Sequence, residues 1–399
     1  MNGSTGSDLM FPFKMGPFHL SHRVVLAPMT RCRALNTIPQ PAHVTYYSQR
    51  TTPGGLLITE AVSVGDRGFG FPHSPGIFTD EQIHAWKAVV DAVHARGGII
   101  FCQIWHVGRA SHKVYQPNGD SPVSSTSRKI SDDWKIQMLG GTLENYSTPR
   151  ALATSEIKVI VQQFREAARN AMIAGFDGVE IHAGHGYLID QFMKNKINDR
   201  MDEYGGSIEN RCRFALEILS AVTEEIGTER TAIRISPVVD HLDALDSDPM
   251  ALGLYLAAKL NHFGLCYMHL TQPRYNARKV KKEDLPSFHD CHSLMRNAYK
   301  GTLMSTGGYT RESGMAAIRN GEADLISYGR LFISNPDLPW RFRLGAVKLN
   351  KYDRATFYTH DQVVGYTDYP FLYLEDDKRG RQRSKMISNE GSLCLRSAL

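Results

Sequence analysis

Two histidines three residues apart, with a tyrosine two residues further on, mark the segment His182-Ala-Gly-His185-Gly-Tyr187 of this 399-residue chain. Imidazoles so spaced can donate hydrogen bonds to one carbonyl oxygen. A phenol, whose ordinary pKa is about 10, keeps its proton at neutral pH and can deliver it to a nearby carbon. The set therefore suits a reaction that builds negative charge on an oxygen and then protonates an adjacent atom. The same spacing also fits two ligands of a zinc ion. A hydrolytic zinc barrel would need a third histidine or a carboxylate close by, usually as H-x-H near the first strand end, and there the chain reads Ala27-Pro28-Met29-Thr30.

Three further sites invite chemistry. Gly307-Gly308 and Gly329-Arg330 end two apolar runs late in the chain, where backbone N–H groups and a cation can hold a phosphate. Arg234, expected to point inward from a strand, would be an unpaired buried charge without an anionic partner, and the N1–C2=O edge of a reduced flavin would serve. No strand end carries a lysine, which disfavours a Schiff-base aldolase.

The elements that must position these groups recur with one rhythm. Eight short β-branched runs read as strands: Val24 to Pro28, Leu56 to Glu60, Gly98 to Gln103, Gly178 to His182, Thr231 to Ser236, Cys266 to Leu270, Thr302 to Ser305 and Asp324 to Tyr328. Amphipathic stretches such as Asp80 to Arg96, Ser155 to Ala174, Glu209 to Ile226 and Arg311 to Asn320 lie between them. This predicts an α/β fold, a (β/α)8 TIM barrel with reactive groups at the C-terminal strand ends. A doubly wound open sheet is the competing topology, but no G-x-G-x-x-G follows the first strand. The barrel is expected to occupy residues 11–374 as a single domain, with 1–10 and 375–399 as flexible termini. The run Trp105 to Thr154, after the third strand, is long enough to be a functional lid. Phe11 to Leu20 should close the barrel floor.

With 42% hydrophobic and 22% charged residues the composition is that of an ordinary globular protein, and the apolar runs are strand-sized, so no membrane span is expected. The formal charge of +5 gathers only at Arg278 to Lys282 and Lys378 to Lys385. Neither cluster has interleaved stacking aromatics, so both read as solvated segments and no nucleic-acid partner is expected. Six scattered cysteines form no C-x-x-C pair and suit a reducing compartment. The first ten residues lack the pattern of a secretory signal, so the mature chain is expected to begin there and to be cytoplasmic. The ending Ser397-Ala398-Leu399 is similar to a peroxisomal address without its basic middle residue and keeps import there as the alternative.

At His182-Ala-Gly-His-Gly-Tyr-Leu-Ile-Asp-Gln-Phe192 and Leu26-Ala-Pro-Met-Thr-Arg31 the chain resembles the old yellow enzyme family, and within it the plant 12-oxophytodienoate reductases. Gln103-Ile-Trp-His-Val-Gly-Arg109, Asn198 to Gly206, Thr271-Gln-Pro-Arg-Tyr275, Ser327 to Pro336 and Gly365 to Pro370 extend the likeness over roughly Phe11 to Phe371. The resemblance implies non-covalent FMN with NADPH as reductant and a small-molecule α,β-unsaturated carbonyl (enone) as substrate, in a monomer or weak homodimer. By the same likeness Pro28, Met29, Thr30, Ala61, Gln103 and Arg234 meet the flavin, while Gly307, Gly308, Gly329 and Arg330 hold its phosphate. His182 and His185 bind the substrate carbonyl, Tyr187 donates the proton, and Phe71, His241, Arg274, Tyr275 and Tyr358 line the substrate side. Phe71 and His241 match the jasmonate-pathway type and point to 12-oxophytodienoic acid. The alternatives are a general enone or xenobiotic reductase without a hormone role, a metal-dependent hydrolase on the same barrel, and an idle scaffold. No metal is expected.

Overall fold

A computed structural model describes residues 8–272, 288–345 and 347–372. Arg274, Tyr275, both basic clusters, most of the two expected flexible termini and the C-terminal tripeptide lie outside the described residues.

The eight expected strands form and close on themselves. They are β1 (Val24–Leu26), β2 (Leu56–Ile58), β3 (Ile99–Trp105), β4 (Gly178–Ala183), β5 (Thr231–Ile235), β6 (Tyr267–Thr271), β7 (Leu303–Thr306) and β8 (Leu325–Tyr328). All neighbours are parallel, and β8 returns to β1 with Ser327 opposite Val25. Between β2 and β3 runs α2 (Asp80–His94), after β3 and its long loop comes α3 (Thr154–Ile173), and after β4 comes α5 (Ile208–Ile226), preceded by the short α4 (Leu188–Met193). α1 (Pro41–Gln49) follows β1. α2 shows why these segments are helical. Thr79 accepts a hydrogen bond from the Gln82 amide while the Gln82 side chain bonds back to the Thr79 N–H, and Trp86, Val89, Val90 and Val93 bury one face.

Period-two alternation sorts each strand. Outward residues such as Val179, Ile181 and Ile233 pack beneath the helices in the main core. Inward residues fill the barrel in layers. At the N-terminal end Met15, Leu20, Val25, Phe101, Tyr267 and Met304 make an apolar plug. It is closed by the hairpin Phe13–Met15/Phe18–Leu20, whose Phe18 meets Phe101 edge-on at 5.5 Å. Phe11 to Leu20 thus forms the floor as expected.

The segment after β3 packs part of its length against the barrel mouth. Val107, Ala110, Ile130, Ile136 and Tyr146 form a small core of their own with Ala61, Trp105, Tyr187 and Leu242 there. Beside it, with Gln137 Nε2 donating to the Tyr358 carbonyl at 3.4 Å, runs a strap, residues 350–372, fastened by arginines. Arg33 donates to the carbonyls of Asp361, Thr356 and Val364, and Arg31 to those of Phe357 and Gly365. The Arg33 guanidinium lies 4.6 Å from the Tyr366 ring, Tyr366 stacks on Tyr46 at 4.3 Å, and Arg50 covers the other face of Tyr46 at 3.7 Å. Cations sandwiching two aromatic faces, each also bonded to carbonyls, make a stiff anchor. Arg33→Ala leaves several half-buried carbonyls without a donor and is expected to cost roughly 2–4 kcal/mol. A urea midpoint within error of the wild type, with no new proteolytic cleavage in residues 350–372, would contradict this role for the anchor.

Candidate active site

At the C-terminal strand ends the barrel opens into a cavity of about 590 Å³. Its lining takes in all the sequence-predicted site residues that are described: Pro28, Met29 and Thr30 beyond β1, Ala61 beyond β2, Phe71, Gln103 on β3, His182, His185 and Tyr187 at the end of β4, Arg234 on β5, His241, Gly307 and Gly308 beyond β7, Gly329 and Arg330 beyond β8, and Tyr358 on the strap.

The turn that carries the two histidines is shaped by its backbone. His185 and Gly186 both have left-handed φ, +58° and +76°, and a Cβ on Gly186 would lie 2.5 Å from the His241 carbonyl oxygen. Buried side chains hold this conformation. Ser236 Oγ accepts from the His185 N–H at 2.7 Å, Asp190 from the Gly186 N–H at 2.8 Å, and Gln191 Nε2 donates to the Gly186 carbonyl at 2.7 Å. Asp190 pairs at 3.0 Å with Lys194, which is fully buried and donates to the carbonyls of Ser236, Val239 and Ala244. One ammonium thus ties the histidine turn to the loop that carries His241. The sequence reading missed Ser236, Asp190, Gln191 and Lys194 in this role. An aspartate and a lysine four apart on α4 were the available signal.

His182 Nε2 and His185 Nδ1 stand 3.5 Å apart, with their rings edge to face. With hydrogens on those two nitrogens, one oxygen at ordinary hydrogen-bond length from each completes a triangle. Among the described residues no group of three or more His, Cys, Asp or Glu is placed to hold a metal ion. Tyr187 packs 5.2 Å from the His182 ring and 4.8 Å from Trp105. Burial, reinforced by the positive charge of Arg234, drives both imidazoles well below 6.5. Burial, with Tyr146 and Tyr358 nearby, drives the Tyr187 phenol well above 10. All three are therefore neutral hydrogen-bond donors at physiological pH.

Across the mouth, the cradle at the ends of β7 and β8 rests on glycine. Gly307 and Gly308 have φ of +148° and +94°, and a Cβ on Gly307 would meet the Gln272 Cβ at 2.6 Å. A Cβ on Gly329 would press the Met29 sulfur at 3.1 Å, and Arg330 lies beside them over the Tyr352 ring. The donor-rich floor, the glycine cradle and the adjacent cation fit a planar heterocycle bearing a phosphate tail, as FMN does. Elsewhere on the cavity wall Phe71 stacks on Trp105 at 5.9 Å and lies 6.0 Å from Tyr358, while His241 meets Trp134 edge-on at 4.7 Å.

Glu180, two residues before His182 on the same inward face of β4, places a favourable negative charge near Arg234, although burial still disfavours the charged guanidinium, and Arg234 Nε donates to Thr271 Oγ1 at 3.2 Å. His269 lies fully buried beneath the mouth, between Glu180 and Ser327. Neither Glu180 nor Ser327 was singled out from the sequence, although period two along β4 and β8 aims both inward.

Residues 8–348 match the profile of the NADH:flavin oxidoreductase / NADH oxidase family. The chain is 58% identical over 389 residues to 12-oxophytodienoate reductase 7 of Oryza sativa subsp. japonica, covering 95% of this chain and 97% of that protein. To 12-oxophytodienoate reductase 2 of Arabidopsis thaliana it is 55% identical, covering 91% and 96%. Among solved structures, morphinone reductase superposes with a TM-score of 0.88 at 41% identity, covering 95% of this chain and all of that one. Morphinone reductase in complex with tetrahydroNAD gives 0.86 at 42%, covering 94% and 99%.

The buried neutral histidines set an expectation for pH. Burial lowers His22 and His241 to about 4 and His106 to about 3, and His182 and His185 shift the same way. The unfolded chain takes up these protons near its ordinary value of about 6.5, so the stabilisation is complete above that pH and is lost as pH falls from about 6.5 towards 4. The urea midpoint should therefore be flat between about pH 7 and 8 and drop steeply below about 6.5. A midpoint unchanged down to pH 4.5 would refute the neutral-histidine assignment.

Proposed function

Because the chain belongs to the NADH:flavin oxidoreductase / NADH oxidase family, which is the old yellow enzyme family, we propose that it is an FMN-dependent ene-reductase that uses NADPH to reduce the C=C bond of α,β-unsaturated carbonyl compounds. The observation that carries this reading is the convergence of two neutral imidazoles and a neutral phenol on one cavity whose opposite end is a glycine and arginine cradle.

Thr30, Ala61, Gln103 and Arg234 would hold the flavin ring, with Gly307, Gly308, Gly329 and Arg330 on its phosphate. FMN held there would supply the hydride chemistry that links reduced nicotinamide to the β-carbon of the substrate. His182 and His185 receive the carbonyl oxygen and donate to it as negative charge grows there. Being neutral and already fixed by the turn, they need little reorganisation during the reaction. Tyr187 holds its proton against loss to solvent and delivers it to the α-carbon. Trp105, Phe71 and Tyr358 wall the site with apolar surface and limit access of water.

The substrate we propose is 12-oxophytodienoic acid or a related oxylipin, supported by the two reductases above and by Phe71 and His241 standing on the cavity wall. The five described cysteines are all free and buried, which supports a reducing, cytoplasmic location, with the peroxisome as the alternative. We further propose that the protein acts as a monomer or weak homodimer.

The purified protein should be yellow, its flavin band should bleach on anaerobic addition of NADPH, and the band should return on adding an enone. A colourless protein that takes up no FMN would end the proposal. His182→Ala and His185→Ala should each slow oxidation of the reduced enzyme by enone about a hundredfold or more. Tyr187→Phe should slow it roughly 10²–10⁴-fold. All three should leave reduction by NADPH within a few-fold of wild type. Turnover of cyclohexenone without any of 12-oxophytodienoic acid would remove the substrate assignment and keep the reaction class.

A further inference from the structure

Directly beneath the cavity floor lies a polar layer in which two buried members, Glu180 and His269, have no part in the reaction just described. Gln103, Arg234 and Ser327 face the cavity. Behind them Glu180 and His269 are fully buried. Gln103 Nε2 donates to Glu180 Oε1 at 2.7 Å, the other carboxylate oxygen lies 2.9 Å from His269 Nδ1, and His269 Nε2 lies 2.9 Å from Ser327 Oγ. A continuous chain of hydrogen bonds therefore joins two cavity-facing groups through one buried carboxylate. Arg234 sits opposite both His182 and His269 in the strand register, and Glu180, one inward position earlier on β4, interacts with it electrostatically.

We propose that Glu180 is a positioning residue that tunes the bound flavin: its carboxylate offsets the charge of Arg234 and holds the FMN reduction potential below the value Arg234 alone would set. The inference rests on the reading of this cavity as an FMN site. Its physical basis is electrostatic. Two electrons arriving with one proton add negative charge to the ring system, so a cation under the floor favours the reduced state and an anion beside that cation opposes it. A lower potential leaves the reduced cofactor a stronger hydride donor toward a weakly electrophilic enone. The carboxylate is kept ionised against the cost of burial by His269, Arg234 and the Gln103 amide. His269 is held neutral by burial, so it donates from Nδ1 and accepts from the Ser327 hydroxyl without cancelling the charge on Glu180.

The test is the midpoint potential of FMN in the purified holoenzyme, with the affinities for oxidised and reduced FMN measured alongside. Glu180→Gln keeps the shape and removes the charge. Its potential should move positive, with reduced FMN gaining about tenfold or more relative to oxidised, equivalent to about 30 mV for a two-electron couple. Glu180→Asp keeps the charge and should stay near the wild-type potential even if its thermal stability falls. An unchanged or more negative potential in Glu180→Gln, or an equal shift in Glu180→Asp, would overturn the proposal. If Glu180→Gln does not accumulate as folded holoenzyme, His269→Gln decides the matter. Its amide can still donate to Glu180, so an unmoved potential supports the assignment, and a negative shift would reveal an imidazolium that cancels the carboxylate and would overturn it. Failure of the FMN reading would show separately, as wild-type protein that retains no flavin.

Discussion

A closed eight-stranded barrel has no space inside except for side chains, and a charge placed there must find its complement within the same layer. Here the Glu180 carboxylate, bonded to Gln103 and His269 and through His269 to Ser327, answers that demand with a favourable charge near Arg234. Below it the interior is apolar and plugged by the N-terminal hairpin, and above it the cavity opens. The layer is the boundary between a part of the barrel that only packs and a part that can bind. Its donors must be satisfied from below for its upper face to be held in a fixed arrangement.

The histidine turn obeys the same logic at the mouth. Two consecutive residues in left-handed conformation would not persist in isolation, and their cost is met by Ser236, Asp190 and Gln191, each bonded to the turn's own backbone. Lys194, with its four oxygen neighbours, then couples the turn to the loop bearing His241. The histidine turn and the loop that brings His241 to the cavity are thus built on one buried cation. The strap that brings Phe357 and Tyr358 to the cavity is held by another set of cations, the arginines stacked on Tyr46 and Tyr366. Both walls of the cavity are anchored by buried positive charge bonded to backbone carbonyls, a form of attachment that sets direction as well as strength.

Much of this was legible along the chain. Eight β-branched runs alternating with amphipathic stretches specify a parallel closed sheet, because period two and period 3.6 can be satisfied together only if one face of each strand meets helices. The barrel rule that strand ends converge then placed His182, His185, Tyr187, Arg234 and the two glycine pairs at one mouth before any coordinates, and the cavity contains them all. Local spacing also predicted that the imidazoles could share an oxygen, since three residues on one turn keep the rings close.

What the sequence could not decide was which buried groups answer one another across the barrel. Glu180 and His269 are 89 residues apart, Arg33 and Asp361 are 328, and the carbonyl partners of Lys194 lie 42 to 50 residues away. Nothing in the composition of either member names the other, because hydrogen bonds and ion pairs depend on distances of about 3 Å that exist only after closure. For the same reason the ionisation of the site was set by the tertiary structure. A histidine in sequence is a group that titrates near 6.5. Burial beside Arg234 is what makes His182 and His185 neutral donors, and burial among tyrosines is what keeps the proton on Tyr187.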